Sequence, residues 1–170
     1  MIVSAQALSY ARRDDVNTDV IWPGKYTYVK VPLAEMPRYA METFDPEFGA
    51  KVAGKGVLVV GKNFGCGSSR EQASQCLKAS GIELIVARSF ARIFYRNSLN
   101  LGLAVVECPD AVQAIHTGDE VRADLAAGTL EVRGRAFEFA PYPPFVLDLV
   151  RDGGLIEHLR AARARGQGQS

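Results

Sequence analysis

The chain has 170 residues, 48% apolar and 23% charged, with a formal net charge of +1. That length fits one domain with a real core, and so balanced a charge gives no electrostatic reason for nucleic acid or a membrane surface as partner. No apolar stretch approaches the length needed to span a bilayer.

In chain order, residues 1–10 are only mildly apolar and their arginines follow the apolar part, the reverse of a signal peptide, so a cytoplasmic protein is expected. No regular element is assigned there. The stretch "DDVNTDVIWPGKY" is polar and turn-rich and ends in Pro-Gly, and its acids can be read as solvated loop charges. Residues 57–60 (VLVV) read as a buried strand, followed by the glycine-rich turn "GKNFGCGSSREQ" at 61–72. Ala73, Cys76, Leu77 and Ser80 then recur at helical spacing, and Gly81 supplies a stop.

Residues 84–87 (LIVA) read as a second strand. Ser89 is the expected N-cap of a helix to about Asn97, turning Phe90, Ile93 and Phe94 inward, and residues 103–106 read as a third strand. Strand and helix in short alternation predict a parallel β-α-β-α-β core with right-handed crossovers. Residues 119–139 alternate about Ala127 and Gly128 as an antiparallel hairpin would. Pro143 and Pro144 open a helix that breaks at Gly153 and Gly154, and a second one starts at Leu155. Residues 1–165 are assigned to one α/β domain and 166–170 to a disordered tail.

Three cysteines, Cys66, Cys76 and Cys108, are too few and too scattered for a disulfide framework. Without a Cys-x-x-Cys, and with His116 and His158 far apart, no metal or iron–sulfur site is expected on this chain alone. Cys76 and Cys108 read as small buried residues. The stripe Arg88, Arg92 and Arg96 reads as salt bridging or subunit contact, since no wider basic excess or aromatic platform accompanies it.

The turn concentrates the chemistry. Ser68 with Glu71 three residues on matches a capping box. That pairing leaves Gly65, Gly67, Ser69 and Arg70 unexplained. Glycines let backbone approach a ligand, a helix N-terminus attracts anions, and the arginine fork fits a carboxylate or phosphate. The turn therefore reads as an anion site. It is neither a P-loop, because Lys62 stands at the wrong end, nor a nucleophile elbow, because it reads Gly65-Cys66-Gly67-Ser68-Ser69.

"NFGCGSSREQA" closely resembles the signature of the small subunit of 3-isopropylmalate dehydratase, the swivel-domain partner in the aconitase superfamily. "ARSFARIFYRNSLNLGL" resembles the family's next block and "DDVNTDVIWPGKY" its N-terminal block, in order from about residue 12 to 107. The resemblance implies a three-layer β/β/α swivelling domain and a hydro-lyase that isomerises a small hydroxy-diacid by removing and re-adding water. It places a [4Fe–4S] cluster, acting as a Lewis acid on the substrate hydroxyl, on a separate large subunit in a heterodimer or heterotetramer. The family's catalytic serine base falls on Ser68 and an active-site aspartate on Asp19; Ser69 and Arg70, with Gly67 and Cys66 of the same turn, fall on substrate-binding positions.

The segment after Pro23 and Gly24 lies, in that family, by the variable end of the substrate. Here it reads KYTYVKV. Tyr28, Val29 and Val31 suit an alkyl branch, which favours an alkyl-substituted malate. Lys30 or Lys25 would instead pair with the third carboxylate of a homoaconitase-type substrate. A dimethylmalate dehydratase subunit and a non-catalytic anion-binding module are the remaining alternatives.

Overall fold

The structure is a computed structural model that describes residues 1–167. Seven strands form one curled sheet, β1 (Ile2–Tyr10), β2 (Val57–Val60), β3 (Leu84–Ala87), β4 (Ala104–Glu107), β5 (Glu120–Asp124), β6 (Thr129–Val132) and β7 (Arg135–Glu138), in the order β4-β3-β2-β1-β5-β6-β7. β1 to β4 run parallel, and β1 meets β5 antiparallel, as do β5 with β6 and β6 with β7. The expected parallel core is present, with β1 added to it. The hairpin about Gly128 is also present, and a further turn at Arg133 and Gly134, both at positive φ, adds β7.

β2 and β3 are buried at all four positions, as covered parallel strands should be. Leu8, Leu58, Val60 and Ile85 face one layer with Trp22, Phe48, Phe64, Leu77 and Phe94, carried by α1 (Thr18–Ile21), α2 (Phe48–Val52), α3 (Glu71–Ala79), α4 (Arg92–Asn100) and the loops between them. Val57, Val59 and Val86 face the other layer, with Val112 of α5 (Pro109–Ala114), Leu130, Tyr142 and Val150 of α6 (Pro144–Arg151). Cys76 and Cys108 are buried, one in each layer. The last helix, α7, is Leu155–Gln167, so the tail expected from residue 166 lies, for its last three positions, outside the described residues.

Two side chains fasten the sheet's periphery. Tyr142 Oη donates to the Val105 carbonyl at 2.6 Å and accepts the Val105 N–H at 2.8 Å, covering the outward side of edge strand β4. Burial holds that hydroxyl protonated. Tyr142→Phe strands both backbone groups and should cost about 1–3 kcal/mol in thermal or denaturant unfolding. At the end of β1, Asp45 accepts from Tyr10 Oη at 2.7 Å, and Lys51 Nζ reaches it at 2.8 Å.

Lys51 first, then Tyr10 and the Glu47 amide, hold the Asp45 carboxyl below its usual range against the opposing effect of burial. A depressed folded pKa stabilises fully above the unfolded value of about 3.9 and is lost as pH falls through the folded value. Asp45→Asn should therefore lower the Tm at neutral pH, and its gap to the parent should close in strongly acidic buffer.

Candidate active site

The site gathers at the carboxyl ends of the parallel strands, where open α/β sheets place their ligands. Residues 11–17 leave β1, 61–70 leave β2 and 88–91 leave β3, and all three segments are stitched together. Lys62 N–H donates to Asp14 Oδ1 at 2.7 Å, and Arg88 Nη2 reaches the same oxygen at 2.6 Å. Asn63, at φ +54, donates its side-chain amide to Asp15 at 2.8 Å and its backbone N–H to Ser89 Oγ at 2.9 Å. Gly65 N–H donates to the Val16 carbonyl and Thr18 N–H to the Cys66 carbonyl, both at 2.8 Å. The acids of the N-terminal block are thus struts of the turn, not free loop charges.

The two turn glycines do different work. A Cβ on Gly65, at φ +77, would stand 2.2 Å from Phe94 Cγ, so this glycine admits the core. Gly67, at φ +95, is exposed and opens the side occupied by Ser68 and Ser69, also exposed. α3 begins at Glu71 with Arg70 as N-cap and no side-chain capping bond. The capping box expected from Ser68 and Glu71 does not form: the helix starts at Glu71, past Ser68, and among the described residues the Glu71 side chain accepts only from Gln75, at 3.4 Å. In its place, the amide N–H groups of Gly67, Ser68 and Ser69 donate to no protein group among the described residues.

Arg70 closes one end of this row. Its Nη1 donates to Asp19 Oδ1 and, at 3.3 Å, to the Trp22 carbonyl, while Nη2 donates to no described residue. Asp19 lies in α1, which Asn17 caps by accepting the Val20 N–H at 2.9 Å. A Cβ on Gly24 would sit 3.2 Å from Asp19 Oδ1 and 3.7 Å from both guanidinium Nη atoms. The Pro-Gly step therefore lies directly on the ion pair. Cys66 donates to the Asp15 carbonyl at 3.5 Å. Burial, and then the Asp15 charge, push its thiol up, away from the thiolate form.

Asp19, Cys66, Gly67, Ser68, Ser69 and Arg70 are thus brought into one place. Tyr28, Val29 and Lys30 stand to one side. With Trp22, Gln72 and Gln75 they line a cavity of about 390 Å³ one turn along α3 from Arg70, and Ser68 is not in its wall. Tyr28 is 95% exposed and Val29 59% exposed, so neither is packed in this chain by itself. An expectation about capping is corrected on the next element, and the arginine stripe divides. Ser89 is taken by Asn63, so α4 starts at Arg92 with Ala91 as N-cap. Arg88 precedes that helix and pairs with Asp14, while Arg92 and Arg96 have no ion pair among the described residues.

Among the described residues no group of three or more His, Cys, Asp and Glu side chains could hold a metal ion. The cysteines do not fit a cluster: Cys76 donates to carbonyls inside one core layer and Cys108 sits in the other. Nor is any described helix long and apolar enough to cross a membrane. Sequence reasoning missed Thr18, the Trp22 carbonyl and Gly24; the first two act through burial and backbone, which leave no pattern in residue types.

The mixed, curled sheet with its glycine turn in front of α3 matches an aconitase-type domain: the family model described as the aconitase C-terminal domain covers residues 7–111. A 3-isopropylmalate dehydratase small subunit of Caldicellulosiruptor bescii is 44% identical over 162 residues, which is 94% of this chain and 96% of that one. A 2,3-dimethylmalate dehydratase small subunit of Eubacterium barkeri is 43% identical over 150 residues, 87% of this chain and 91% of its own. The crystal structure of a 3-isopropylmalate dehydratase from Methanocaldococcus jannaschii superposes with a TM-score of 0.89 at 34% identity, covering 100% of both chains. The chain belongs to the family of 3-isopropylmalate dehydratase small subunits, hydro-lyase subunits of the aconitase superfamily.

Proposed function

We propose that this chain supplies the base and a carboxylate-binding turn to a large subunit that carries a [4Fe–4S] cluster, and that the substrate is an alkyl-substituted malate. The observation that carries the proposal is the row of three amides, unpartnered among the described residues, beside exposed Ser68 and closed by an arginine already held by Asp19 and the Trp22 carbonyl. A cluster on the partner would supply the Lewis acid, and the residues of this chain would supply the base and its surroundings.

A proton α to a carboxylate is weakly acidic, and a serine hydroxyl is a poor base in water. At this turn an alkoxide on Ser68 would be stabilised by neighbouring amide N–H groups, the partial positive charge of the α3 N-terminus and Arg70. The same donors meet the charge that develops on the substrate carboxylate as its α-proton leaves. Asp19 and the Trp22 carbonyl hold Nη1 of Arg70, which leaves Nη2 to aim at that carboxylate. Preset donors lose no reorganisation energy when charge appears.

Substrate choice rests on the cavity beside residues 28–30. Its wall sets Trp22, Tyr26, Met36, Tyr28 and Val29 beside the polar Thr27, Lys30, Gln72 and Gln75; the apolar side would take a branched alkyl group, and the resemblance to a dimethylmalate dehydratase subunit fits the same chemistry. Lys30 is the only charge in that wall. Mixing the chain with its large subunit should give hydration of an unsaturated diacid that neither protein catalyses alone. Comparing kcat/KM for isopropylmalate, dimethylmalate and homocitrate-type acids should rank the alkylmalates within about 1–3 kcal/mol of one another. A preference for the tricarboxylate that Lys30→Ala abolishes would overturn the substrate choice and leave the reaction class standing.

A further inference from the structure

Thr18 is 1% exposed, and its Oγ1 has no hydrogen-bond partner among the described residues. An unsatisfied buried hydroxyl is a cost to the folded state, and valine would fill the same space without it. The position of this hydroxyl is informative. The place a Cβ on Gly67 would take lies 3.4 Å from Thr18 Oγ1, and the Thr18 N–H already holds the Cys66 carbonyl at 2.8 Å. One residue therefore grips the chain at Cys66 through its backbone and faces Gly67 with its side chain, immediately ahead of Ser68. The amides of Gly67 and Ser68 are themselves unpartnered among the described residues.

We propose that Thr18 is a positioning residue for Ser68: its hydroxyl donates to the Gly67 carbonyl once substrate occupies the turn, which leaves the Ser68 N–H for the substrate. Gly67 stands at φ +95, and the lack of a Cβ leaves its carbonyl free to settle on the hydroxyl. The bond forms only in the loaded turn, so it lowers the barrier without adding to the stability of the free chain. The proposal rests on the reading of Ser68 as base.

The test uses the assembled two-subunit enzyme and the full-length free chain, with Thr18→Val, Thr18→Ser and Ser68→Ala. Thr18→Val should lower kcat roughly tenfold, the worth of one neutral hydrogen bond, with KM little changed. The Tm of the Thr18→Val chain should equal or exceed the parent's, and Thr18→Ser should restore most of the turnover. Parental kcat in Thr18→Val beside an inactive Ser68→Ala would overturn the role of Thr18 and leave the base reading intact. Parallel losses of kcat and Tm in Thr18→Val would also overturn it, marking the hydroxyl as structural. Parental turnover in Ser68→Ala would remove the base reading and this proposal with it. If Thr18→Val fails to assemble, the same comparison runs between Thr18→Ser and Thr18→Ala, where equal turnover would overturn the proposal.

Discussion

Ser68→Ala in the assembled enzyme is expected to lose about 10²–10⁴-fold in kcat, the usual consequence of removing a general base, with KM nearly unchanged. The split follows from the geometry. The Ser68 side chain has no hydrogen-bond partner among the described residues, and the helix cap falls on Arg70, so alanine removes no structural bond. The amides of Gly67, Ser68 and Ser69 remain to bind the substrate carboxylate. Stopped-assay kinetics alongside thermal unfolding check both halves. A hydroxyl that were only structural would show its loss in Tm, with turnover following stability.

Arg70→Lys should reduce kcat/KM by about 10²-fold, through KM as well as kcat, because charge-assisted bonds of roughly 1.5–3 kcal/mol are lost at a site an ammonium cannot span. The arginine holds Asp19 and the Trp22 carbonyl with one nitrogen and keeps the other for substrate. A lysine must choose. If it stays with Asp19 the substrate loses its partner, and if it turns to substrate the N-terminal block loses its tie to α3. Glutamine at the same position should do worse, since no charge remains. A lysine variant with parental KM would mean that Arg70 serves only the tie to Asp19.

The parallel core could be read because β2, β3 and most of β4 are covered on both faces, which demands the continuous apolar runs at 57–60, 84–87 and 103–106. β1 escaped notice for the converse reason. It is parallel to β2 on one side and antiparallel to β5 on the other, and its mixture of exposed and buried positions follows neither a continuous run nor a strict alternation. Local capping signals failed where tertiary bonds outbid them. Ser89 spends its hydroxyl on Asn63, and α3 starts at Glu71 with Arg70 as its N-cap, two residues past Ser68.

The candidate site was half legible. Glycines, Ser68 and Arg70 within one strand-to-helix turn point to an anion by chemistry alone. Asp19 was singled out only through resemblance to a family, and its partnership with Arg70, which spans 51 residues, was not foreseen, because no periodicity encodes such a separation. Thr18 carried no sequence signal, because an orphaned hydroxyl is a property of packing.

The most direct measurement is the exchange of substrate hydrogen with solvent. The assembled enzyme, incubated in D₂O with an alkylmalate, should introduce deuterium at the carbon that loses its proton, as the unsaturated intermediate is rehydrated back to the starting acid. Ser68→Ala, with substrate bound at near-parental affinity, should introduce it about 10²–10⁴-fold more slowly. Parental deuterium incorporation by a saturated Ser68→Ala enzyme would contradict the account, since the proton would then be taken by a group outside this turn.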